Sequence, residues 1–131
     1  KAVIGKHFVG GYCSDDETKS GINKLYTENG YLMDTHTAVA YNKLAAYRKD
    51  TGCVTPAVVV STASPYKFCN SVLQALGQES DAPGTELIEK LSEVTKTAIP
   101  KPLKGLDRRE KRFELVVDKP EMKATVADFL K

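Results

Sequence analysis

The chain has 131 residues, of which 41% are hydrophobic and 27% are charged, and its formal net charge is +2. These values are typical of a single globular domain, and so small a net charge gives no reason to expect a nucleic-acid partner. No apolar run approaches the roughly 20 residues that a membrane-spanning helix needs. We therefore expect a cytoplasmic protein without a membrane or nucleic-acid partner.

The N-terminal residues contain no apolar stretch long enough for a signal peptide. The first residue is not Met, which indicates that the start of the gene product lies elsewhere. Residues 6–13 are expected to form a short strand or a docking segment. The three cysteines, Cys13, Cys53 and Cys69, match no metal-binding spacing and are odd in number, so we expect free, partly buried thiols and no metal site.

Two helices are predicted in the first half from their capping signals. Ser14 to Glu17 form a capping box, which predicts a helix that runs to about Glu28 and ends at residues 29–30. Residues 34–37 cap a second helix, Ala38 to about Lys49, which residues 51–52 close. The residues of this second helix expected to face the core are Val39, Leu44, Ala45 and Tyr47.

A cluster of polar residues stands at the start of the second helix. Capping requires only Asp34 or Thr35, so it leaves His36 unexplained. From spacing alone, capping and a role in a functional site are evenly matched for Asp34, His36 and Thr37.

Residues 57–68 are the stretch around which the predicted fold is organised. Residues 57–60 are apolar without alternation, which predicts a central strand covered on both faces. Ser64 and Pro65 favour the start of a helix that ends at Gly77. Ligands of open α/β sheets bind just beyond the carboxyl ends of strands, so this hydroxyl-rich turn is the candidate site.

The second half of the chain contains two further predicted helices. One runs from Thr85 to about Lys96, and the other from Pro120 to Leu130 behind a cap at Asp118. A strand is predicted over residues 113–117, and the prolines of residues 97–102 exclude a helix there. The inward side chains of the last helix are expected to be Met122, Val126, Phe129 and Leu130.

The resulting order of elements predicts an α/β fold: a small, mostly parallel sheet with helices on both faces, in one domain over residues 1–131. No catalytic residue set can be assembled, because no nucleophile with a base and no phosphate-loop motif is present. The best candidate site is Ser61, Thr62 and Ser64 with Lys67, whose groups suit a ring nitrogen, a carboxylate or a phosphate. A purely structural role of these hydroxyls, as cap and strand-end partners, is favoured by spacing alone.

Three ordered motifs resemble the C-terminal part of threonine synthase. They are residues 10–19 (GGYCSDDETK), 30–41 (GYLMDTHTAVAY) and 61–68 (STASPYKF), and the tail at 99–102 (IPKP) and 113–122 (FELVVDKPEM) is also similar. The resemblance covers essentially the whole chain. The family more often has Pro where this chain has Thr35, which alters the turn but leaves Asp34, His36 and Thr37 in place.

The resemblance implies a pyridoxal-phosphate lyase of the tryptophan-synthase-β-like fold type II. Such an enzyme acts in threonine biosynthesis and converts O-phosphohomoserine and water into threonine and phosphate. The family's Schiff-base lysine segment and its phosphate-binding loop have no counterpart in these 131 residues. The resemblance therefore implies an inactive fragment whose partner is the N-terminal part of the same chain, with self-association through exposed apolar surface.

By the same resemblance, the hydroxyl of Thr62 contacts the pyridine nitrogen of the cofactor, with Ser61 as the fallback. Lys67, Asp34, His36 and Thr37 match motifs near the site and are possible substrate-contacting or site-shaping residues. An alternative remains: a stand-alone small α/β domain that binds an anionic metabolite at the Ser61–Ser64 turn. A weaker alternative is a basic interaction module at residues 101–112.

Overall fold

The fold is helical in this computed structural model, which describes residues 3–110 and 112–131. The expectations for the extreme N-terminus therefore fall partly on Lys1 and Ala2, and the basic stretch includes Lys111; these three residues lie outside the described ranges. The α-helices are α1 (Asp15–Asn29), α2 (Thr35–Thr51), α3 (Cys69–Ala75), α4 (Glu86–Thr95) and α5 (Met122–Phe129). Short 3₁₀ helices occupy Ile4–Lys6, Pro65–Phe68, Leu106–Arg108 and Lys119–Glu121.

The predicted cap and end of α1 are confirmed, and so are the Asp34 cap and the Gly52 stop of α2, but α2 begins at Thr35, three residues before the predicted Ala38. Ser14 accepts a hydrogen bond from the Glu17 amide, while the Glu17 carboxylate accepts one from the Ser14 amide, so the capping box is complete. Asp34 caps α2 through its side chain, which accepts hydrogen bonds from the His36 and Thr37 amides. Both helices end at a glycine in the left-handed region, Gly30 at φ 68° and Gly52 at φ 69°, a conformation that glycine adopts without steric cost.

The core lies where α1, α3 and α4 meet, with the start of α2 against them. Helix α1 packs against α2 and α3, and α3 packs against α4. Polar bonds tie the packed helices together: Asn23 of α1 donates to the Ala75 carbonyl, and Asn42 of α2 donates to the Glu17 carbonyl. The buried apolar residues are Ile22, Met33, Ala38, Tyr66, Cys69, Val72, Leu73, Ala75, Leu87, Ile88 and Leu91.

The predicted α/β fold, with its small parallel sheet and helices on both faces, is wrong. No strand forms within residues 3–110 and 112–131, and residues 57–60 and 113–117 have no regular secondary structure and no backbone–backbone hydrogen bonds. Val58 is 90% exposed and Val116 is 91% exposed. A strand exists only when neighbouring strands take its backbone hydrogen bonds, and the described residues supply no such neighbour. Residues 6–13 likewise form no strand.

Some predicted core positions are also wrong. The apolar residues of α5 are exposed, because its main contact among the described elements is with the short turn that precedes it. In α2, Ala45 and Tyr47 are exposed while Val39 and Leu44 are half-buried. The helix instead buries its first turn, at Thr37 and Ala38. Among the described residues, no helix combines the length and apolar character needed to cross a membrane.

Candidate functional site

The hydroxyl-rich turn of residues 61–64 leads into a 3₁₀ turn and not directly into an α-helix. The Ser64 side chain accepts a hydrogen bond from the Tyr66 amide at 3.3 Å, as expected of a cap. The 3₁₀ turn Pro65–Phe68 follows, and α3 begins only at Cys69. The predicted single helix to Gly77 is therefore divided. Tyr66 is buried and anchors the turn through its hydroxyl, 2.8 Å from both the Thr97 carbonyl and the Thr97 hydroxyl oxygen.

Asp34 lies at the start of α2 with its side chain fully buried. Its Oδ1 accepts hydrogen bonds from the amides of His36 at 2.8 Å and Thr37 at 3.3 Å. Its Oδ2 accepts a hydrogen bond from the Thr37 hydroxyl. A buried carboxylate is stable only when it is satisfied in this way, and the positive end of a helix adds to the effect.

The start of α2 touches the turn of residues 61–64 through hydroxyl groups. Thr37 Oγ1 lies 3.1 Å from Ser61 Oγ. Ser61 Oγ also lies 3.4 Å from the Ala63 carbonyl oxygen. A continuous polar chain therefore runs from the buried Asp34 carboxylate through Thr37 to Ser61, so the two predicted clusters are in contact.

An aromatic contact joins the same two segments. The His36 ring lies with its centroid 5.0 Å from that of Phe68, at an interplanar angle of 43°. The His36 Nδ1 is 3.5 Å from Asp34 Oδ1. On the other side, the Lys67 ammonium lies 5.6 Å from the Phe68 ring centroid. Phe68 is thus a site residue that sequence reasoning had not singled out, because no spacing rule links it to His36.

Thr62 follows Ser61 and is exposed. Its exposure excludes the possibility that this hydroxyl is packed into the core, and leaves it able to reach a group from outside the described residues. Ser61 is also exposed as a residue, but its hydroxyl lies against Thr37. The two neighbouring hydroxyls therefore have different surroundings, which the sequence could not distinguish.

The three cysteines are free, as predicted. Burial raises the pKa of the Cys69 thiol, whose Sγ lies 3.1 Å from the Tyr66 carbonyl oxygen. A hydrogen bond from Thr55 lowers the pKa of the Cys53 thiol, with Arg48 adding a smaller effect of the same sign.

An open cleft of about 1110 Å³ lies elsewhere, along the C-terminal half of α2. Its lining includes Gly10, Tyr12, Lys43, Tyr47 and Asp50. The polar chain from Asp34 to Ser61 lies at the opposite end of the helix. We place the candidate site at the start of α2, because the buried carboxylate and the linked hydroxyls converge there and a volume alone implies no chemistry.

Residues 37–127 match the family model described as "Threonine synthase, C-terminal". The mouse protein named threonine synthase-like 1 is 34% identical over 126 residues, which cover 95% of this chain and 16% of that protein. Threonine synthase of Schizosaccharomyces pombe is 36% identical over 77 residues, or 58% of this chain and 15% of that protein. Threonine synthase of Methylobacillus glycogenes is 28% identical over 109 residues, or 83% and 19% respectively.

The chain therefore spans less than a fifth of the length of these curated relatives. The family match includes Thr37, Ser61, Thr62 and Lys67, whereas Asp34 and His36 lie just before its first residue. Most of the candidate site thus lies within the part of the chain that the family model describes.

Proposed function

Because the chain belongs to the threonine synthase family, we propose that residues 1–131 form the C-terminal part of a pyridoxal-phosphate-dependent threonine synthase. The longer chain is called the parent enzyme below. It would convert O-phosphohomoserine and water into L-threonine and phosphate as a carbon–oxygen lyase. The support comes from the family match and from two relatives that are named threonine synthase.

The observation that carries the proposal is the anchored turn with an exposed hydroxyl beside it. Ser61 is tied to Thr37 at 3.1 Å, while Thr62 faces outward. Pyridoxal phosphate offers a ring nitrogen that accepts a hydrogen bond, and an exposed threonine hydroxyl is a suitable donor. The residues present therefore fit the cofactor at this one contact. When bound, the cofactor supplies the electron sink that stabilises a carbanion.

Thr62 would hold the ring nitrogen by donating its hydroxyl proton, with Ser61 as the fallback. A hydroxyl is a neutral partner, so it does not favour a protonated ring nitrogen as a carboxylate would. Lys67, His36, Asp34 and Thr37 would shape this side of the site. We assign no catalytic residue and no cofactor-linked lysine within residues 1–131, since the motifs implied for those roles are missing here.

The partner that we propose for this chain is the remainder of the parent enzyme. The segments 57–60 and 113–117 and the apolar side chains of α5 are exposed, at 90% for Val58 and 75% for Phe129. Unpaired backbone and exposed apolar side chains both favour association with further polypeptide. On this proposal the 131-residue chain alone is inactive and self-associates.

The proposal is tested by comparing the 131-residue chain with the parent enzyme. Both are titrated with pyridoxal phosphate while Schiff-base absorbance is followed, and both are assayed for threonine and phosphate from O-phosphohomoserine. We expect cofactor binding and turnover in the parent enzyme and neither in the 131-residue chain. A parent enzyme that binds no pyridoxal phosphate would overturn the proposal.

A further inference from the structure

We propose that Asp34, acting through Thr37, fixes the direction in which the Ser61 hydroxyl donates, so that Ser61 presents an acceptor and Thr62 presents the donor at the cofactor site. This inference rests on the proposed function for the identity of the ligand. Asp34 and Thr37 are positioning residues, because they act through Ser61. The consequence is that Thr62, and not Ser61, would contact the ring nitrogen.

The Asp34 carboxylate accepts hydrogen bonds from the His36 and Thr37 amides and from the Thr37 hydroxyl. Thr37 has a single hydroxyl proton, which it donates in a hydrogen bond to the carboxylate. A bond to a charged acceptor is roughly twice as strong as one between neutral groups, so the carboxylate outcompetes Ser61 for this proton.

Thr37 Oγ1 then meets Ser61 as an acceptor. The Ser61 oxygen is 3.1 Å away. Once the Thr37 proton is directed at Asp34, a hydrogen bond between the Thr37 and Ser61 oxygens uses the Ser61 proton. The Ala63 carbonyl, 3.4 Å from Ser61 Oγ, is the other acceptor within reach. Either partner uses the one Ser61 proton inside the chain. The Ser61 hydroxyl can therefore only accept a hydrogen bond from a ligand.

Thr62 differs because it is exposed and lies next to this fixed group. A ring nitrogen that carries no proton needs a donor, and the neighbouring Ser61 cannot supply one. The pair of hydroxyls is thus asymmetric: Ser61 suits an N–H or O–H group, and Thr62 suits an acceptor. The buried carboxylate of Asp34 sets this asymmetry without touching the ligand.

Asp34→Asn is the variant that reverses the polarity. The amide keeps an oxygen for the His36 and Thr37 amides, so the cap of α2 is retained. Its NH₂ group faces Thr37, however, and donates where the carboxylate accepted. Thr37 then donates its hydroxyl proton to Ser61, so the direction of the hydrogen bond between these two oxygens is reversed.

The deciding experiment is neutron diffraction from deuterated crystals of the cofactor-free parent enzyme. We expect the Thr37 deuteron on the line to Asp34 Oδ2, and the Ser61 deuteron directed at Thr37 Oγ1. In Asp34→Asn we expect the Thr37 deuteron to be directed at Ser61. A wild-type Ser61 deuteron that points at the Ala63 carbonyl, or away from both chain acceptors, would overturn the inference, because Thr37 would then not set its direction.

Cofactor affinity gives a second, independent readout. Thr37→Val removes the acceptor of Ser61, whose hydroxyl is then no longer held in the direction that presents an acceptor to the ligand. We expect this variant to weaken pyridoxal phosphate binding about two- to tenfold, the effect of one neutral hydrogen bond. Thr37→Ser keeps the hydroxyl and should restore affinity to within about twofold. Equal losses in both variants would contradict the inference, as they would show that packing and not the hydroxyl matters.

The two proposals fail in different ways. A wild-type parent enzyme without affinity for pyridoxal phosphate would remove the proposed function, whereas the deuteron positions in cofactor-free crystals would still decide the polarity of the chain. If Thr37→Val lowers the melting temperature of the cofactor-free enzyme so far that it does not fold, the Thr37→Ser and Asp34→Asn variants still decide the outcome, because both keep the hydroxyl and the cap.

Discussion

The hydroxyl oxygens of Thr37 and Ser61 lie 3.1 Å apart, although 24 positions separate the two residues in the chain. This contact joins the capped start of α2 to the turn that precedes Pro65. Thr37 is hydrogen-bonded to the fully buried Asp34, and Ser61 is followed in the chain by the exposed Thr62. The structure thus links a buried carboxylate to the residue that precedes an exposed hydroxyl.

The Thr62 hydroxyl should be required for efficient turnover. We expect Thr62→Val in the parent enzyme to lower kcat/KM by roughly tenfold or more, because a donor to the ring nitrogen is worth about 1–2 kcal/mol and valine nearly keeps the shape. Thr62→Ser is the matched control and should keep most of the activity. Steady-state kinetics and the cofactor absorbance spectrum measure both effects, and unchanged values in Thr62→Val would show that the assignment is wrong.

The close approach of α1 to α2 depends on the absence of a side chain at Gly21. A Cβ built at Gly21 would lie 2.5 Å from Asn42 Oδ1, and Asn42 donates to the Glu17 carbonyl. Alanine is intrinsically better in a helix by about 1 kcal/mol, but here it must displace Asn42 and break that bond. We expect Gly21→Ala to increase hydrogen exchange in α1 and α2.

The matched control for this prediction removes the clash. In the background of Asn42→Ala, Gly21→Ala should be neutral or stabilising, because only helix propensity remains. A double-mutant cycle measured by native-state hydrogen exchange therefore isolates the contact. Identical effects of Gly21→Ala in the two backgrounds would rule out the steric explanation.

The cysteine thiols should differ in their reaction with an alkylating reagent. Burial raises the pKa of Cys69, so its thiolate fraction at a given pH is reduced, while the hydrogen bond from Thr55 lowers the pKa of Cys53 and increases its thiolate fraction. The thiolate is the reactive form. Across about pH 7 to 10, the rate for Cys53 should therefore rise at lower pH than the rate for Cys69. Mass spectrometry of the 131-residue chain after timed alkylation measures both rates, and faster modification of Cys69 would contradict the assignment.

Residues 57–60 and 113–117 should become protected when the rest of the parent enzyme is present. We expect slow amide exchange at these residues in the parent enzyme and fast exchange in the 131-residue chain, because contact with the remainder of the parent enzyme would cover amides that have no backbone partner here. Residues 78–81, a polar loop, serve as a control that should exchange fast in both. Fast exchange of 57–60 in the parent enzyme would show that the remainder of that enzyme does not cover these residues.

Local signals in the sequence predicted the helix ends of this chain. Ser14 with Glu17, Asp34, Gly30 and Gly52 each act within four residues of the end that they define. The information therefore lies next to the element in the chain. The grouping of the motif around Asp34 with the motif around Ser61 came only from the resemblance, because no local rule places them in contact.

The sheet could not be predicted correctly from the same kind of pattern. The valines of residues 57–60 have the composition of a buried strand, but a strand also needs neighbouring strands to pair with, and the described residues provide none. The same reasoning applies to α5, whose apolar positions, Phe129 among them, were expected to face a core that the described residues do not provide. In both cases the sequence pattern is real but its partner is not among the described residues.

The most direct test of the account is a crystal structure of the parent enzyme with pyridoxal phosphate bound. The account predicts that Thr62 Oγ1 lies about 2.7–3.2 Å from the ring nitrogen, while Ser61 Oγ remains in contact with Thr37. A carboxylate at the ring nitrogen, or a Thr62 side chain directed away from the cofactor, would contradict it.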